Sequence, residues 1–129
     1  MTFHPGADVH ARRDVHVDVT ALRREYFSPT GNGSRAKRVT FGTSGHRGSS
    51  LHGTFNEAQV LAITQAICDY RRTRGVTGPV YIGQDTHALS TPAFMTAVEV
   101  LAGNRVEVMV DCNGGYTLVG GVEAWDKKY

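Results

Sequence analysis

The segment Gly42-Thr43-Ser44-Gly45-His46-Arg47-Gly48 places three glycines at a spacing of three, two hydroxyls and one guanidinium in a single loop. Glycines let the backbone approach a ligand closely and adopt positive φ, so successive amides can point into a concavity, while a planar Arg fork suits phosphate oxygens. The loop reads as an anion cradle. A tight turn leaving the short apolar strand Val39-Thr40-Phe41, with a solvated Arg, explains the same residues without a ligand. The loop alone leaves both readings open.

Other chemistries fit less well. A Walker phosphate loop needs a Lys-Ser/Thr pair after the glycines, and none follows. Gly45-His46-Arg47-Gly48 fits the Gly-x-x-Gly of an RNA-binding KH loop, but that loop lies between helices and here a strand precedes it. The alternation Asp14-Val15-His16-Val17-Asp18 imitates metal ligands, yet a polar N-terminal segment supplies no fold to organise them, and a solvated tail is far commoner. Cys68 and Cys112 are the only cysteines, outside any Cys-x-x-Cys spacing. They read as free, buried or half-buried thiols rather than a zinc site or disulfide framework. His87, next to Asp85 and Thr86, reads as support for a strand end ahead of substrate contact.

Composition bounds the class. With 129 residues, 40% hydrophobic and 20% charged, the chain suits one globular core. The net charge of +2 hides an asymmetry: residues 1–50 carry eight Lys or Arg against four acids, and residues 51–129 carry six against eight. The positive surplus lies upstream of and within the loop, which favours an anionic ligand weakly, but the dense basic patch interleaved with aromatics of a nucleic-acid binder is missing. No run approaches the ~18 apolar residues that cross a bilayer, and the N-terminus has no apolar signal segment. The expectation is a cytoplasmic protein without membrane or nucleic-acid partners.

The elements that must position the loop follow from local signals. Asp18 is an N-cap for a short helix, Val19–Phe27, packing through Val19, Leu22, Tyr26 and Phe27. Residues 28–38 read as a linker. Thr54-Phe55-Asn56-Glu57 matches a capping box opening a helix over residues 55–73, with Val60, Ile63, Ala66, Ile67 and Tyr70 on its buried face. Gly75 and Gly78-Pro79 stop it, and Val80-Tyr81-Ile82 is a strand bounded by Gly83. Thr91 as cap and Pro92 as first residue start another helix, buried through Phe94, Val98 and Leu101 and ended by Gly103-Asn104. Residues 106–110 form the next strand. Strands separated by helices predict βαβ crossovers in a layered α/β sheet, with ligand loops at the carboxyl ends of the strands. The glycine loop and Asp85-Thr86-His87 both belong on that edge.

Four ordered segments then carry a resemblance: residues 39–49 (Val-Thr-Phe-Gly-Thr-Ser-Gly-His-Arg-Gly-Ser), Phe55-Asn56-Glu57, residues 83–90 (Gly-Gln-Asp-Thr-His-Ala-Leu-Ser) and Asn113-Gly114-Gly115-Tyr116-Thr117. Together they resemble the N-terminal domain, domain I, of the alpha-D-phosphohexomutases, most of all the bacterial glucose-specific phosphoglucomutases. The resemblance implies a three-layer α/β/α domain with a mixed, mostly parallel sheet. It implies an intramolecular phosphotransferase that interconverts glucose 1-phosphate and glucose 6-phosphate through the bisphosphate, using a phosphoserine with Mg²⁺ beside it. By position, Arg47 would help stabilise the phosphoryl group in a supporting catalytic role, and Thr43, Ser44, Gly45 and His46 would shape the phosphate-binding wall around it. Gln84 stands where relatives often carry Lys.

The sequence departs from that family after Thr117. It contains no Thr-Ala-Ser-His-Asn-Pro loop, no Asp-x-Asp-x-Asp metal motif and no Gly-Glu-x-Ser-Gly sugar motif. The expected organisation is a tail, short helix and linker over residues 1–38, a partial domain I over 39–117 and a divergent tail over 118–129, with the sheet incomplete at its C-terminal end. Such a chain is expected to hold no metal or other cofactor itself, to be inert alone, and to associate through exposed sheet surface.

Overall fold

In the computed structural model, the residues described are 17–28, 38–111 and the backbone of 116–119. Cys112, Asn113, Gly114, Gly115, the histidine-bearing N-terminal tail, the linker residues 29–37 and residues 120–129 lie outside them. The first helix, α1 (Val19–Phe27), begins as its sequence predicts, because the Asp18 carboxylate accepts from the Ala21 amide at 3.0 Å. Its packing face is narrower than expected. Leu22 and Tyr26 are buried and Glu25 joins them, while Val19 and Phe27 are about half exposed, since only one side of the helix meets the body of the protein.

Two short strands follow, β1 (Phe41–Gly42) and β2 (Gly45–His46), paired antiparallel with Phe41 opposite His46. The glycine loop is therefore a hairpin of its own rather than the exit from a strand of the main sheet. Val39 and Thr40 stay outside the ladder. Thr43 and Ser44 make the two-residue turn, and Gly45 at φ 112° adopts a conformation that side-chain-bearing residues rarely reach.

After a 3-10 turn at Ser50–His52 comes α2 (Glu57–Arg74). Its capping box is Asn56 with Gln59, not Thr54 with Glu57: the Gln59 amide donates to Asn56 Oδ1 at 3.1 Å and the Asn56 amide donates to Gln59 Oε1 at 3.0 Å. Thr54 is committed elsewhere, its Oγ1 accepting from the Ser49 amide at 2.8 Å. The buried face of α2 also differs. Val60, Thr64 and Cys68 lie inside at i, i+4 spacing, while Ile67 and Tyr70 are exposed because α2 packs chiefly along one side, against the next helix. Gly75 at φ 64° closes the helix as a left-handed cap.

The strand β3 (Val80–Ile82), the helix α3 (Ser90–Gly103) and the strand β4 (Val108–Asp111) form the expected βαβ unit, with Val80, Tyr81 and Ile82 parallel to Val108, Met109 and Val110. A further strand, β5 (Tyr116–Val119), runs antiparallel to β4 with Asp111 opposite Tyr116 and Val108 opposite Val119. The sheet is thus mixed, in the order β3-β4-β5, and the chain has the α/β layered architecture read from its sequence.

Two apolar clusters hold these parts. One gathers Phe94, Val98 and Leu101 of α3 with Cys68 of α2 and with Val108 and Val110 of β4. Truncating Leu101 there costs about 2–5 kcal/mol by the usual transfer and cavity terms. The other joins Leu22 and Tyr26 of α1 to Val60 and Leu89. Ser50 adds a tie, its hydroxyl donating to the Leu22 carbonyl at 2.9 Å. Cys68 is a free thiol, and burial pushes its pKa up, so it behaves as a small apolar side chain.

Candidate functional site

The hairpin and the carboxyl end of β3 face a common cavity of about 980 Å³. Buried Val60, Leu89 and Phe94 belong to its apolar lining, and the exposed Arg47, Gln84, Asp85 and His87 bring polar groups to it. An apolar concavity with few convergent polar groups is the ordinary form of a small-molecule site. Its place beyond the C-terminal end of a parallel strand is where open α/β sheets bind ligands.

Of the five residues singled out in the loop, the structure brings His46 and Arg47 to this cavity. Thr43 and Ser44 sit exposed at the hairpin tip, and Gly45 shapes the turn. Arg47 is exposed and makes no ion pair or hydrogen bond among the described residues, so its guanidinium is free for an anion. The His46 ring lies nearly parallel to Phe55, centroids 6.0 Å apart and planes at 13°, with its Nδ1 3.1 Å from the Thr40 carbonyl oxygen.

Gly48, also on the cavity, is required for a steric reason that the spacing of glycines did not reveal. A Cβ there would lie 2.2 Å from the Thr54 carbonyl oxygen. The hairpin can therefore approach the entry to α2 only through a glycine. The signal, a glycine followed six positions later by a capping-type hydroxyl, is too common to stand out.

Across the cavity, Asp85 and His87 organise the start of α3. Asp85 Oδ1 accepts from the His87 amide at 2.9 Å and from the Ser90 hydroxyl. These bonds, the Ser90 one first, hold the carboxyl below its ordinary pKa. His87 Nδ1 accepts from the Leu89 amide at 3.1 Å, which ties it to the start of α3. The helix starts one residue before Thr91, and Thr91 is no cap: its hydroxyl donates instead to Gln84 Oε1 at 3.2 Å. The carboxylate of Asp85 shares a cavity with Arg47, but one of its oxygens already serves two donors. Among the described residues no three His, Cys, Asp or Glu side chains gather, so these residues do not by themselves form a Mg²⁺ cage. None of the described helices is long and apolar enough to cross a membrane.

The βαβ unit, with the glycine hairpin and the strand-end turn around one cavity, defines an α/β layered domain whose candidate site lies at the carboxyl end of a parallel strand. Residues 38–112 match the family described as phosphoglucomutase/phosphomannomutase, alpha/beta/alpha domain I. The chain is 54% identical over 105 residues to a phosphoglucomutase of Komagataeibacter xylinus, a match that covers 81% of this chain and 19% of that protein. The chain belongs to the phosphoglucomutase/phosphomannomutase family, through its domain I. It spans about a fifth of the length of the curated relative it matches.

Proposed function

We propose that the chain forms the domain I wall of a phosphoglucomutase-type site, holding the phosphoryl group of a glucose phosphate at Arg47. The supporting observation is the meeting of His46 and Arg47 with Gly83, Gln84, Asp85 and His87 on one cavity, with the Arg47 guanidinium unpartnered among the described residues. Phosphoryl transfer depends on in-line positioning and charge neutralisation more than on bond-making by the protein. An Arg beside glycine amides supplies part of that need. The phosphoserine and the Mg²⁺ that the family reaction uses have no motif in this sequence, so this chain binds and does not turn over by itself.

This reading gives the chain glucose 1-phosphate and glucose 6-phosphate as ligands and the cytoplasm as its place. Titration with glucose 6-phosphate tests it: the chain is expected to bind, and Arg47→Ala to weaken binding about tenfold or more, as for loss of a charge-assisted pair. Equal, negligible binding by both sinks the reading. A coupled mutase assay on the 129-residue chain is expected to stay at background, and measurable conversion of glucose 1-phosphate would overturn the inert assignment.

A stand-alone phosphosugar or anion-binding module would use the same cavity. The grouping of His46, Arg47 and Gln84 on that cavity supports this reading as well. Mixing the chain with a phosphoglucomutase lacking its own domain I separates the two, since only the first reading expects activity to return. Exposed Tyr81 on β3 further supports association through the sheet surface, which sedimentation at several concentrations would reveal.

A further inference from the structure

Among the described residues, His46 Nε2 is the buried side-chain nitrogen or oxygen without a hydrogen-bond partner. Buried polar atoms are normally satisfied, and an exception asks for a reason. The other ring nitrogen, Nδ1, lies 3.1 Å from the Thr40 carbonyl oxygen. A carbonyl only accepts, so Nδ1 carries the proton and Nε2 of the neutral ring is a lone-pair acceptor. The ring is held in place, stacked on Phe55 and edge-on to Phe41 at 6.2 Å. It lines the same cavity as Arg47.

We propose that His46 Nε2 accepts a hydrogen bond from a hydroxyl of the phosphate ester whose phosphate Arg47 holds, making His46 a specificity-determining residue for the organic half of the ligand. The inference rests on the anion-binding reading of this cavity. A deprotonated phosphate oxygen offers Nε2 only another lone pair, whereas a hydroxyl offers a proton, so the two neighbouring side chains read different parts of one molecule. Nε2 is closed to water in this arrangement, and the same closure holds off a ligand hydroxyl until the ring is uncovered. The hydroxyl gains access by a small displacement of the hairpin, whose ladder is only two residue pairs long.

The test is calorimetric titration of the 129-residue chain with glucose 6-phosphate and, separately, with inorganic phosphate. Asn at position 46 keeps a donor near the Thr40 carbonyl and lacks the Nε2 acceptor, while Gln places an oxygen near the Nε2 position. The affinity ratio of sugar phosphate to inorganic phosphate is expected to fall about three- to tenfold in His46→Asn and to recover in part in His46→Gln. Nitrogen NMR of the wild-type chain is expected to show Nε2 unprotonated, and shifted by glucose 6-phosphate but not by inorganic phosphate. A protonated Nε2, or an unchanged ratio in His46→Asn, overturns the proposal while the anion-binding reading stands. Binding of neither ligand by the wild-type chain defeats both.

Discussion

The Tyr26 hydroxyl lies 2.9 Å from Thr96 Oγ1, joining α1 to α3 across the interior. Thr96 gives its own proton to the Pro92 carbonyl at 3.0 Å, so Tyr26 is the donor to Thr96. Tyr26 is wholly buried, and desolvation raises its pKa, which keeps the phenol protonated across the working pH range. Tyr26→Phe removes one hydrogen bond and should cost about 1 kcal/mol, whereas Tyr26→Ala empties an aromatic site and should cost about 3–5 kcal/mol. Denaturant titration reads both, and equal midpoints for the two variants would contradict this account of packing.

Gly48 is expected to be intolerant for steric reasons. In Gly48→Ala the new methyl meets the Thr54 carbonyl carbon at 2.5 Å as well as its oxygen, so backbone on one side must move. Overpacking of this kind costs typically about 1–3 kcal/mol. Gly83→Ala is the matched control on the same cavity, with nothing within 4 Å of its Cβ, and should change stability by less than about 0.5 kcal/mol. Similar losses in the two variants would show that close approach at Gly48 is not what requires glycine.

Local signals were enough for most elements. Asp18 caps α1, Gly75 closes α2, and Val80, Tyr81 and Ile82 form a strand, each where its own neighbours dictate. Choices between equivalent local signals were not legible. Thr54 with Glu57 and Asn56 with Gln59 have the same capping-box spacing, and the tie is broken by the Ser49 amide, which engages Thr54. In α2 the apolar residues run almost round the helix, so periodicity could not say that Tyr70 is exposed while Thr64 is inside. Of the two site loops, Asp85-Thr86-His87 was readable as a strand-end turn, whereas the glycine loop, read as a strand exit, is a separate hairpin. The orphaned His46 nitrogen depends on the Phe55 ring and the Thr40 carbonyl meeting it in space, and spacing alone does not report that.

Arg105 is the non-glycine residue with positive φ among those described, at 58°, just after α3. Gly103 and Asn104, the sequence's obvious stop signals, instead occupy the last helical position and the cap. An L-residue in the left-handed region is disfavoured by about 1–2 kcal/mol relative to its right-handed form, and glycine escapes that but loses more chain entropy on folding. Arg105→Gly should therefore stabilise the chain by a net of about 0.5–1 kcal/mol. The Arg105 amide bond to the Ala102 carbonyl, 2.9 Å, is retained in that variant. A lower melting temperature for Arg105→Gly would mean that the side chain contributes more than its backbone conformation costs.

Acid should loosen the start of α3 through Asp85. Its folded-state pKa lies below the ordinary 3.8, held there by the Ser90 hydroxyl and then by the His87 amide. A depressed carboxyl pKa stabilises the fold above the unfolded-state value, and that contribution disappears as pH falls through the folded-state value. The stability difference between the wild-type chain and Asp85→Asn is thus expected to be constant from neutral pH down to about 5 and to shrink below about 4. Ser90→Ala removes the leading cause, so it should raise the Asp85 pKa toward the ordinary value and make the acid-dependent loss smaller, with its onset unchanged at the unfolded-state value. Carboxyl carbon NMR of Asp85 in the two chains checks the direction directly, and an unshifted titration in Ser90→Ala would refute the assigned cause.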